Sequence, residues 1–269
     1  MSKKLIINAD DFGMSEEINN GILECYAKRA ITDMSILAVG SSFLHAVESA
    51  RKNNIKKLGV HLALTGGFRA ISVKETIPSL IGRRGHFSKG YGSFLSRYFT
   101  RLISIDQIRR ELKNQIVKVK EKGFKITHLD SHHHIHTVPG IFRKVIEIAK
   151  DEGIQYIRYP LERVGILAKL VDPRKWARNL LLSSMCIASG RMLQRSGISH
   201  NDYFIGHADA FKLKKDSLIS EVSRLNNGIT ELCCHPGADR GKREDELNAL
   251  CGQEFVSVLN MNDIELVSY

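Results

Sequence analysis

Residues 128–140 read HLDSHHHIHTVPG, with five histidines and one aspartate in thirteen positions. An apolar strand, Lys125 to Leu129, runs into this polar stretch, and a helix from Pro139 to Glu152 leaves it. Pro139 suits the first turn of that helix, where the N–H it lacks would go unused. Strand, polar loop and helix in succession are the unit that a parallel α/β fold repeats.

The unit recurs on both sides. Leu5 to Asn8 reads as a buried strand, and Ser15 can cap a helix with Glu16 and Glu17 in its first turn and Ile18, Ile22 and Tyr26 at helical spacing. Met34 to Val39 and Leu58 to Leu64 are further strands, separated by a helix from Ser42 to Lys52. Residues 65–104, rich in Gly, Ser and Arg, are expected to form a loop or cap with little regular structure. A helix from Ile105 to Lys122, closed by Gly123, restores the pattern. Downstream come a strand at Gln155 to Tyr159 and a basic helical segment over 169–197. Strands at Tyr203 to Gly206 and Ile229 to Cys234 flank a helix near Lys214 to Leu225. A helix around Glu244 to Leu250 and a strand at Glu265 to Val267 complete the series.

Seven or eight such units in one domain imply a parallel sheet, either a (β/α) barrel of TIM type or an open doubly wound sheet. In both, chemistry collects where strands end. The first strand ends in Asn8-Ala9-Asp10-Asp11, the third holds His61, and the strand after Gly123 ends in His128-Leu129-Asp130-Ser131-His132. The fifth ends at Arg158, and a late one in Cys234-His235-Pro236-Gly237. A barrel gathers all of these around one mouth, whereas an open sheet strings them along an edge. The barrel is therefore the expected fold.

Each group has a bland alternative. Asp10-Asp11 before Phe12-Gly13 could be turn chemistry, His61 a satisfied core histidine, the His run a solvated loop, and His235 the start of a turn. Their placement at the same end of successive strands favours function. A carboxylate with two imidazoles suits a divalent ion and leaves positions open for water. On an extended strand Asp130, His132 and His134 share one face; if the chain already turns helical, His132 and His136 become an i, i+4 pair. His132 serves in both cases, and His136 is an extra ligand or a substrate contact.

The composition, 43% hydrophobic and 26% charged over 269 residues, is that of a globular chain. Five cysteines without C-x-x-C spacing, two of them adjacent, suit neither a disulfide framework nor a zinc ribbon. With no secretory apolar run after the basic start, a reduced, cytoplasmic setting is expected. The net charge of +11 fits an anionic partner. Nucleic acid is disfavoured, because aromatics make up 7% and are not interleaved with the basic residues.

NADDFG, GVHLALT, THLDSHHHIHTVPGIF and CHPG, in that order and spacing, resemble the YdjC-like carbohydrate deacetylases, a branch related to the polysaccharide deacetylases. The resemblance covers almost the whole chain. It implies an irregular (β/α) barrel that removes the N-acetyl group from amino sugars with a divalent metal. Carried over by motif, Asp11, His61 and His132 are the metal ligands, Asp10 the general base and His235 the general acid. Magnesium is the ion the resemblance implies; two histidines suit zinc as well. Arg158 is a candidate substrate contact, equally able to orient an aspartate or to form a structural ion pair. The segment 169–197 departs from what a free oligosaccharide requires. Its plainer reading is a barrel helix or a homodimer face. Its Leu180-Leu181-Leu182 run, flanked by Arg174, Lys175, Arg178, Arg191 and Arg195, also resembles an interfacial segment for an anionic membrane or a lipid-linked sugar, as in hopanoid glycolipid processing. The competing enzymatic reading is another barrel metallohydrolase, such as a phosphoesterase.

Overall fold

The computed structural model describes residues 2–82, 84–162, 173–206, 215–239 and 241–269, without the side chains of 173–175 and 178. Residues 169–172 of the basic segment, Lys214, and the side chains of Arg174, Lys175 and Arg178 thus lie outside the described residues.

Strands β1 (Lys3–Phe12), β2 (Asp33–Ile36), β3 (Lys57–Leu62), β4 (Lys125–Ser131), β5 (Tyr203–Ile205), β6 (Gly228–Cys234) and β7 (Ile264–Leu266) alternate with helices. These are α1 (Glu16–Ala27), α2 (Phe43–Lys52), α3 (Tyr91–Phe99), α4 (Ile105–Lys120), α5 (Pro139–Asp151), α6 (Pro173–Ser196), α7 (Lys215–Ser223), α8 (Lys242–Leu250) and α9 (Gln253–Met261). Among the described residues the strands form one seven-stranded sheet in the order β4-β3-β2-β1-β6-β5, with β7 beside the first half of β1, and every pairing is parallel.

The fifth expected strand, Gln155 to Tyr159, is reduced to single bridges, Leu129 with Ile157 and Tyr156 with Ser199. Those bridges carry the sheet from β4 round to the segment entering β5, so the ring closes as an irregular barrel. Asn201 substitutes a side chain for the missing ladder: its Oδ1 accepts from Tyr159 N and its Nδ2 donates to Tyr159 O, both at 2.8 Å.

Strand alternation sorts the residues by face. Leu5, Ile7, Ala9, Leu58, Val60, Leu62, Leu232 and Cys234 point outward into the apolar core under the helices. Asn8, Asp10, Ser35, His61, His128, Asp130, Glu231 and Cys233 point inward and are buried. Gly59 makes room for this filling, since a Cβ there would lie 2.1 Å from the His128 ring.

Two further expectations change. The 65–104 region contains a helix, α3, whose Phe94 and Leu95 are buried; bridges such as Thr65 with Ser88 fold it on itself, and Glu111 of α4 accepts from Ile71 N and Ser72 N at 3.1 and 2.8 Å. After β4 the chain follows neither the extended nor the helical reading: residues 132–137 form a 3-10 turn in which His133 and His134 adopt left-handed φ of 57° and 51°. The shared face of Asp130, His132 and His134 and the helical pair of His132 with His136 are both lost for that reason. Ser15 caps α1 as expected, its Oγ accepting from Ile18 N at 3.3 Å.

Candidate metal centre

The mouth of the barrel is built from the ends of β1, β3, β4 and β6. At the end of β1 the register with β2 slips between Ala9 and Phe12, and Asp11 takes a left-handed φ of 69°. Bulges and left-handed non-glycine residues cost conformational energy and cluster at functional sites. Here the kink turns two consecutive carboxylates in different directions.

Asp11 faces two imidazoles. Its Oδ1 lies 3.5 Å from His61 Nε2 and 3.2 Å from His132 Nδ1, and Oδ2 accepts from Arg243 at 2.7 Å. Ligand atoms of Asp11, His61 and His132 all fall within 4.8 Å of one another. Behind them, Asp130 Oδ1 lies 3.0 Å from His61 Nδ1 and Asp130 Oδ2 accepts from Ser35 at 2.8 Å. A carboxylate behind one ring nitrogen fixes the imidazole and presents the other nitrogen forward.

Asp10 turns inward. The Arg158 guanidinium grips it at both oxygens, at 2.6 and 2.7 Å, and Asn8 Nδ2 donates to Oδ1 at 2.8 Å. Arg158, fully buried, also meets Asp130 at 2.9 Å and Glu231 through Nε. Burial alone would raise the Asp10 carboxyl, but Arg158, His61 and His235 together hold it well below the carboxylate range. Burial of Glu231 outweighs its contact with Arg158 and lifts its carboxyl to about 7. Burial would lower His61, yet Asp130, Asp10 and Asp11 raise it to about 9. The mouth thus holds an excess of negative charge that draws a proton onto an imidazole. The same field fits a divalent cation in that proton's place, and the mixed N/O donor set suits one.

His235 stands at the end of β6, its ring Nε2 3.9 Å from Cys233 Sγ. Glu246 Oε2 on α8 accepts from His235 N at 2.7 Å and lies 4.0 Å from Nδ1. Burial is the main cause holding this imidazole down, to about 4, with Asp10 and Asp11 opposing. Gly21 allows the CHPG loop to approach α1, since a Cβ there would stand 2.5 Å from Gly237.

Asp10, Asp11, His61, His132 and His235 therefore converge on one mouth. Arg158 and His136 lie beneath it. His136 is buried, with Nδ1 against Ser131 Oγ and Nε2 3.0 Å from Arg158 O, and burial holds it down to about 3. Both ring nitrogens are thus occupied by the framework. Arg243 and Glu246 are the functional neighbours that sequence reasoning missed; they sit in the charge-rich run GKREDEL, which reads as a solvated helix face. A cavity of about 500 Å3 opens at the other end of the barrel, lined by Lys57, Lys125, Tyr156 and Tyr269. None of the carboxylate and imidazole clusters among the described residues draws on its lining. The chemistry, not the volume, locates the site.

A family model described as YdjC-like protein matches residues 4–261. Carbohydrate deacetylases are similar along the chain: that of Thermoanaerobacter pseudethanolicus is 27% identical, covering 99% of this chain and 98% of the relative. The human one is 30% identical over 87% of this chain and 75% of its own length. A crystal structure from Enterococcus faecalis V583, described as a cellobiose-phosphate cleavage protein, superposes with a TM-score of 0.78 at 24% identity, covering 100% of this chain and 98% of the other. That likeness shows the fold.

Proposed function

This chain belongs to the YdjC-like family, and on that premise we propose that it is a metal-dependent hydrolase removing the acetyl group from an N-acetylated amino sugar. The observation that carries the reading is the Asp11–His61–His132 cluster with Asp10 and His235 beside it. The names of the carbohydrate deacetylase relatives support the substrate class.

Asp11, His61 and His132 would hold one divalent cation, which when bound activates water and polarises the acetyl carbonyl. Asp10, kept ionised by Arg158, accepts the proton that water gives up as it attacks. Arg158 acts as a positioning residue, fixing both Asp10 oxygens. A neutral imidazole must gain a proton before it can give one. Asp10 and His235 offer ligand atoms within 4.8 Å of each other, a span that one water bridges, and in this reading the proton passes from Asp10 to His235 across it. His235, steadied by Glu246, then delivers it to the sugar nitrogen as the C–N bond breaks. His136 supports Arg158 through its backbone carbonyl.

The lipid-linked alternative is supported by Leu180 and Ile187, exposed two turns apart on one face of α6. No helix among the described residues is long and apolar enough to cross a membrane. The test is acetate release from free and lipid-linked N-acetylhexosamines, with magnesium, zinc or chelator, and phosphate release from sugar phosphates as the competing arm. Asp10→Asn is expected to retain metal and lose about 100- to 10,000-fold in turnover, the range of a lost general base. Undiminished turnover would remove Asp10 from the reaction, and phosphate release without acetate release would overturn the deacetylase reading.

A further inference from the structure

Away from the mouth, α1 and the end of α8 bring together two thiols separated by 226 positions in the chain. Cys25 Sγ lies 3.8 Å from Cys251 Sγ. Cys25 is buried in the core beneath α1, whereas Cys251, the C-cap of α8, is partly exposed. The two sulfurs are not equivalent. The hydrogen bond shared with Cys25 lowers Cys251 most; burial opposes it, the Lys28 ammonium adds to it, and the thiol falls to about 7. The same hydrogen bond, together with burial, pushes Cys25 far up. The partly exposed sulfur is the more readily ionised and the buried one the better held proton carrier, a division that favours thiol oxidation.

The remaining cysteines offer nothing similar. Cys233 and Cys234 are buried and raised well above the usual range, and burial lifts Cys186 to about 12.

We propose that Cys25 and Cys251 are a modification site, joined in a reversible intrachain disulfide when the protein meets a hydroperoxide. The Cys251 thiolate attacks the peroxide; an S–O bond forms, the O–O bond breaks, and the departing oxygen leaves as water or alcohol after taking a proton. Cys251 is thereby oxidised to the sulfenic acid and the peroxide reduced. Cys25 sulfur then attacks Cys251 sulfur; the S–S bond forms, the S–O bond breaks, and the oxygen leaves as water with the Cys25 proton. A disulfide needs a separation of about 2 Å, so the sulfurs must close by roughly the same amount again. Cys251 terminates a helix and can supply that movement. The bond would fasten α1, which leads out of the Asp10-Asp11 turn, to α8, which carries Arg243 and Glu246.

The test is thiol counting and peptide mapping of the full-length protein before and after hydrogen peroxide. Two of the five thiols should disappear, one peptide pair linked through Cys25 and Cys251 should appear, and dithiothreitol should restore both thiols. Cys251→Ser should keep all its remaining thiols under the same treatment. Cys25→Ser should accumulate a sulfenic acid at Cys251 that dimedone traps, with no disulfide. Cys251→Ser alters a partly exposed position, so the comparison survives if Cys25→Ser does not fold. Five thiols surviving peroxide, a bond mapped to Cys233 and Cys234, or dimers linked through Cys251 would each overturn the proposal.

Discussion

On the outer face of β1, Leu5, Ile7 and Ala9 join the apolar core; on its inner face Asn8 and Asp10 join an ion network around Arg158. The contrast continues along β3, where Leu58, Val60 and Leu62 face the helices and His61 faces Asp130. Burial is non-directional, so many apolar sets of similar volume satisfy the outer face. The inner face is directional, since each lone pair and proton has a particular partner. Any slip of one residue in strand register would bring ions into the core and leucines into the mouth.

The largest expected effect comes from breaking the inner face at its centre. Arg158→Met leaves Asp10 and Asp130 buried without their guanidinium partner, which costs about 3–5 kcal/mol. The melting temperature should fall by about 6–20 °C, and turnover should vanish. An unchanged melting curve would erase the distinction between the faces. A conservative change on the outer face should do far less. Ile7→Val is expected to cost about 0.5–1.5 kcal/mol with turnover retained, read by denaturant unfolding and acetate release.

A pH-dependent effect sharpens the comparison at the far end of β2. Asp33 lies near Lys57, with no guanidinium fork, and burial raises its carboxyl from an ordinary 3.8 to about 6. The native state therefore binds this proton more tightly than the unfolded chain does. The carboxyl opposes folding increasingly as pH rises from 3.8 through about 6, and remains a penalty above that. Asp33→Asn should thus gain more melting temperature at pH 8 than at pH 4. An equal gain at both values would show that charge burial is not the cause.

The two faces were unequally legible in the sequence. Outer-face residues announce themselves within short apolar runs, as Leu5 and Ile7 or Leu58 and Val60 do. The inner face showed only where polar residues interrupt those runs: Asp10-Asp11, His61, Asp130 with His132, and His235. That was enough to expect a barrel with one mouth. The left-handed turn at His133 and His134 was hidden from local spacing; the partners that meet the His133 ring, Thr65 and Tyr91, lie far away in the chain. Arg243 and Glu246 were hidden because a charged helix that points two side chains inward has the composition of one that points none. Helix α3 was obscured by flanking Gly and Ser, although Phe94, Leu95 and Tyr98 carry helical spacing. The nearness of Cys25 and Cys251 belongs to the fold alone.

The central claim is that carboxylate and imidazoles from three strand ends form one cation site. Anomalous diffraction from a manganese-soaked crystal tests it most directly. The account predicts a peak enclosed by Asp11, His61 and His132, absent in Asp11→Asn. A peak held instead by Asp10, Cys233 and His235, or a mouth whose three side chains diverge, would contradict it.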